Sequence, residues 1–94
     1  MNYRLQQDVA LVSVCGEHFL VSAGRARGRV PYLTGITPAG AYFWRLLEQS
    51  LSPEQIVYRA AADYRTTAET AWAAFRRFAE DLRQKGYLYA EEVL

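Results

Sequence analysis

The 94-residue sequence reads as one α+β domain, with a three-stranded antiparallel sheet followed by three helices. Three observations carry that reading. Apolar and β-branched residues alternate around a Gly-containing turn over residues 9–23. Thr37-Pro38 and Ser52-Pro53 stand where helices begin. From residue 38 to Gly86, apolar residues recur at helical spacing. A chain of this size buries roughly 65% of the surface its unfolded form exposes, enough for one core, so residues 1–94 are expected to form a single domain.

Taken in order, Val9 to Val14 and His18 to Ala23 flank Cys15-Gly16-Glu17, the spacing of a hairpin. Gly24-Arg25-Ala26-Arg27-Gly28-Arg29 interrupts the alternation, and Val30-Pro31-Tyr32-Leu33-Thr34-Gly35-Ile36 resumes it as a third strand. Proline has no N–H to give to a ladder, so Pro31 marks an edge strand with one row of backbone groups free. Thr37 caps a first helix that carries Tyr42, Phe43, Leu46 and Leu47 on one face and ends near Gln49. Ser52-Pro53-Glu54-Gln55 is a capping box, opening a second helix over about residues 53–64 whose buried stripe is Ile56, Val57, Ala60, Ala61 and Tyr64. Thr66 or Thr67 caps the longest helix, with Ala71, Phe75, Phe78 and Leu82 as its stripe and Gly86 as its stop. Tyr87-Leu88-Tyr89 is short and alternating and is placed as an extended segment packed back on the body. Strands before helices, with a tight turn over residues 63–67, is the layout of a winged helix-turn-helix.

Composition narrows the function. Hydrophobic residues make up 51% of the chain, which sets it apart from disordered sequences. One His, one Cys, no nucleophile elbow and no Walker-type loop leave no catalytic set, no zinc cluster and no expected cofactor. Cys15 has no internal partner, no apolar run reaches about 18 residues, and Met1 to Asp8 lacks the layout of a signal peptide. A cytoplasmic protein without membrane contact is therefore expected. Lys and Arg total 11 against 10 Asp and Glu, without the basic excess of a duplex binder. Residues 68–73, which would read bases, contain no Arg, Lys, Asn or Gln. A winged-helix DNA-binding regulator is thus the second reading, and a homodimer formed through the exposed strand the third. Residues 1–36 carry a charge of +2 and residues 37–94 one of −1. The positive charge is concentrated in Arg25, Arg27 and Arg29, a surface that is either solvated or meets an anionic partner.

An edge strand beside a helix can hold an extended peptide, whose backbone pairs with the strand while side-chain pockets select it. With Ala71, Phe75, Phe78 and Leu82 facing the core, Trp72, Arg76, Ala79 and Arg83 form the adjacent helical row. That row offers an aromatic anchor, a small residue that leaves space, and two guanidinium groups for carboxylates. The expected peptide-binding set is Tyr32, Leu33, Thr34, Gly35, Ile36, Trp72, Arg76, Ala79 and Arg83. Trp72 equally fits a partly buried core position, and Arg76 and Arg83 equally fit a solvated surface beside Glu80 and Asp81.

The stretch from Tyr32 through Thr37-Pro38 to Phe43-Trp44-Arg45-Leu46-Leu47 resembles the strand-to-helix junction of PqqD-like proteins. Leu51-Ser52-Pro53-Glu54-Gln55-Ile56-Val57 is similar to the opening of that family's second helix, and Phe75 through Gly86-Tyr87-Leu88 to its closing signature. Thr37 stands where the family often has Asn. The resemblance implies a RiPP recognition element, a domain that holds the leader of a ribosomally made precursor peptide for a separate modifying enzyme, usually a radical S-adenosylmethionine maturase. It further implies that the leader adds as a strand to the third strand, against the third helix.

Overall fold

In the computed structural model, residues 2–24, 28, 30 and 33–91 are described. Arg25, Arg27, Arg29, Pro31 and Tyr32 lie outside the described residues, so the arginine loop and the proline expected at the strand's start are not placed.

The hairpin forms from local chemistry. β2 (Val9–Val14) and β3 (Glu17–Ser22) pair antiparallel, with Val14 opposite Glu17 and Val9 opposite Ser22. Cys15 (φ 52°) and Gly16 (φ 78°) both adopt left-handed backbone between them. Such a two-residue turn matches the twist of the strands it joins. β4 (Leu33–Ile36) pairs with β3, placing His18 opposite Ile36 and Val21 opposite Leu33, so the sheet order is β2-β3-β4. Its inner face packs Leu20, Leu11, Val9 and Ile36 against the core. On its outer face Val12, Val14 and Leu33 are exposed.

A second, two-stranded sheet was not expected. β1 (Asn2–Leu5) pairs antiparallel with β5 (Leu88–Glu91), from Asn2 opposite Glu91 to Leu5 opposite Leu88. The tail segment expected at residues 87–89 is therefore a strand with a partner from the far end of the chain. Tyr3 drives this docking by resting edge-on against Phe75, with ring centroids 5.8 Å apart.

Side-chain caps set each helix start. α1 (Pro38–Glu48) begins at Thr37, whose hydroxyl accepts from the Gly40 N–H at 3.0 Å. α2 (Pro53–Asp63) opens with the full Ser52/Gln55 capping box. α3 (Ala68–Lys85) is capped by Thr67 and stopped by Gly86 at φ 90°. Trp44, Phe75, Ile56, Leu82 and Tyr87 form the centre of the core. Tyr64 departs from expectation. As the C-cap of α2 it lies past the last full turn and is 53% exposed, its ring edge-on to Tyr42 at 5.1 Å.

Candidate functional site

β4 is one of the two outer strands of its sheet, and among the described residues no strand pairs with its second edge. Beside that edge lies a groove of about 490 Å³. Gly35, Ile36, Thr37, Ala39, Gly40 and Phe43 line one side; Ala74, Arg77, Phe78, Asp81 and Leu82 of α3 line the other. The floor is aromatic, since Phe78 packs on Phe43 and Phe75 at centroid distances of 5.4 and 6.2 Å.

Several local features hold these walls in place. Thr34 and the Tyr87 hydroxyl form a 2.5 Å hydrogen bond, tying β4 to the chain just beyond α3. A Cβ on Gly40 would stand 3.3 Å from the Thr37 hydroxyl and 3.6 Å from both Ile36 and Phe78. Glycine at this position lets the first turn of α1 close on the groove without displacing its cap. Asp81 receives Lys85 at 3.1 Å, whereas exposed Arg77 has no hydrogen bond or ion pair among the described residues.

Of the strand residues expected at the site, Leu33, Thr34, Gly35 and Ile36 all lie on β4. Leu33 and Gly35 are exposed, and Thr34 and Ile36 turn inward and are half-buried. Tyr32 is outside the described residues.

The helical row lies elsewhere. Ala79 is 1% exposed and belongs to the core. Trp72 is half-buried and packs edge-on to Phe75 at 6.4 Å, with the Arg76 guanidinium 5.4 Å over its ring; both face a cleft with Tyr3, Pro53 and Glu54. Arg83 holds Glu80 through two bonds of 3.0 and 2.7 Å, and that pairing keeps the Glu80 carboxyl below its ordinary value. These residues therefore do not join β4.

The physical reason is a small rotation of α3. Apolar periodicity puts Ala71, Phe75, Phe78 and Leu82 in the buried stripe, whereas the buried set is Ala71, Phe75, Ala79 and Leu82. Phe78 is left half-buried at the edge of the core, where it floors the groove, and Ala74, Arg77 and Asp81 share its side. Steps of three and four residues, from Ala74 through Arg77 or Phe78 to Asp81, were the available signal.

A larger cavity of about 640 Å³ opens between β1, β5 and the α1–α2 turn, but it is lined largely by polar groups such as Gln7, Glu48 and Gln55 and lies away from β4. At the hairpin end, Ser13 and His18 share a 2.6 Å hydrogen bond, a structural role for the single histidine. Among the described residues no group of His, Cys, Asp or Glu could hold a metal ion, and no helix is long and apolar enough to cross a membrane.

A free strand edge beside an apolar, helix-walled groove places the chain among small α+β domains that present a surface for an extended segment. It belongs to the PqqD family: the family model described as coenzyme PQQ synthesis protein D (PqqD) matches residues 17–88. The chain is also similar to a solved structure, TbiB1 in complex with the TbiA(beta) leader peptide. The two share 26% identity with a TM-score of 0.75, over 94% of this chain and 99% of that one. No curated protein matches the chain significantly.

Proposed function

We propose that this protein holds the leader segment of a ribosomally made precursor peptide and presents it to a separate modifying enzyme, a radical S-adenosylmethionine maturase. The leader adds as a strand to the free edge of β4, contributing backbone hydrogen bonds to residues 33–36, while its alternate side chains enter the groove against α3. The protein acts in the cytoplasm by binding, with no chemical step of its own. The observation that carries this reading is the unpaired edge of β4 opening onto the Phe78-floored groove. Membership of the PqqD family supports it, as does likeness to a chain solved with a leader peptide.

The test is fluorescence anisotropy with the labelled leader segment of its precursor peptide. Ala74→Trp fills the groove and is expected to weaken binding by about tenfold or more, a cost of about 1.4 kcal/mol. Ala73→Trp, on an exposed position of the same helix outside the groove, leaves binding unchanged. Equal effects of the two substitutions would contradict the proposal.

A further inference from the structure

α3 carries four cations, and three of them are already engaged. Arg76 stacks over Trp72, Arg83 is held by Glu80, and Lys85 is held by Asp81. Arg77 is the one cation of α3 without such a partner among the described residues, and it is the one that lines the groove. Asp81, the groove's carboxylate, is offset by Lys85. The uncommitted charge facing a ligand in the groove is therefore positive, and it adjoins an apolar slot formed by Phe78, Ala74 and Ile36.

We infer that the groove selects an acidic strand: a peptide with a large apolar side chain for the Phe78 slot and, two positions away, an Asp or Glu for Arg77. This rests on the strand-addition reading above. The spacing follows from geometry. Alternate residues of an added strand point into the groove about 6.6 Å apart; Arg77 and Phe78 are consecutive on α3 and project about 100° apart around its axis, so the long Arg77 side chain can span that separation when the apolar residue sits on Phe78. A guanidinium binds a carboxylate with paired, charge-assisted hydrogen bonds that a lysine or a neutral side chain does not reproduce. Such a pair is worth little in open water. Seating the apolar neighbour on Phe78 removes water beside Arg77 and strengthens the pair. Arg77 is in this sense the specificity-determining residue of the groove.

The test is selection of random peptides displayed on phage against the whole chain, followed by synthesis of an enriched peptide. The expected outcome is enrichment of Asp or Glu two positions from a large apolar residue. In the synthetic peptide, replacing that acid by Lys lowers affinity about tenfold. Against Arg77→Glu the preference reverses and the Lys peptide binds better; Arg77→Lys keeps the acidic preference more weakly. Arg59→Glu, an equal charge change on α2, leaves the preference as it was. Binders that shift the amides of residues 33–36 yet show no charge preference, or none that follows residue 77, overturn this inference alone. Binders that leave those amides unmoved, or a selection that yields none, overturn the strand-addition reading and this inference with it.

Discussion

Ala79 separates the two faces that α3 could turn toward β4. Enclosed in the core, it has no room for a larger side chain. Ala79→Leu is expected to lower stability by about 1–3 kcal/mol in urea denaturation, through overpacking. A variant as stable as its parent but weaker for peptide would return Ala79 to the groove. Tyr42 makes a prediction at high pH. Its hydroxyl donates to Asp63 at 2.5 Å, and burial, then that bond and the Asp63 charge, raise the phenol above its ordinary value of 10.0. A raised folded value means that the contribution is complete below about pH 10 and is lost as pH climbs from there toward the folded value. Tyr42→Phe should cost about 1 kcal/mol at neutral pH, because the carboxylate it bonds stays in water. It should also flatten the alkaline fall in melting temperature, and an equally steep fall in both proteins would refute the assignment.

Among the elements, β1 is the one added by long-range contact. Tyr3→Ala removes the edge-on contact to Phe75 and is expected to cost about 1–2 kcal/mol in thermal or urea unfolding. Peptide affinity should stay within about twofold, since β1 does not line the groove. A loss of affinity with unchanged stability would mean that the peptide reaches β1. This element also shows what the sequence discloses. The hairpin, the Thr37 and Ser52 caps, the choice of Thr66 or Thr67 for α3 and the Gly86 stop were legible because each is settled by residues within one turn or one tight loop. Asn2 to Leu5 was not, because a four-residue strand with one charged and one amide side chain has little pattern of its own. Its partner, β5, stands at the opposite end of the chain. The groove was half legible: an edge strand at residues 32–36 could be read, of which Leu33–Ile36 is β4, but its facing wall depended on the rotation of α3. Two bulky phenylalanines three residues apart do not settle which of them is buried. Packing does, because small Ala79 takes the core position and leaves Phe78 half-buried on the groove floor.

At the scale of the molecule, a net charge of +1 with one His and one Cys directs attention to a surface, and the topology leaves one strand edge beside a helix-walled groove. Phe75 links the two ends of the structure, touching Tyr3 on one side and Phe43 and Phe78 on the other. The groove floor is therefore continuous with the core and is expected to be set before any ligand arrives. A preformed site spares its ligand the cost of ordering the protein. The most direct test is a titration of the isotope-labelled protein with the leader segment of its precursor peptide, followed by amide and methyl NMR. Strand addition predicts saturable shifts at the amides of residues 33–36 and at Ile36, Ala74 and Phe78, with those of Trp72 and Arg83 nearly still. Shifts centred on Trp72, Arg76 and Arg83, with residues 33–36 unmoved, would contradict it.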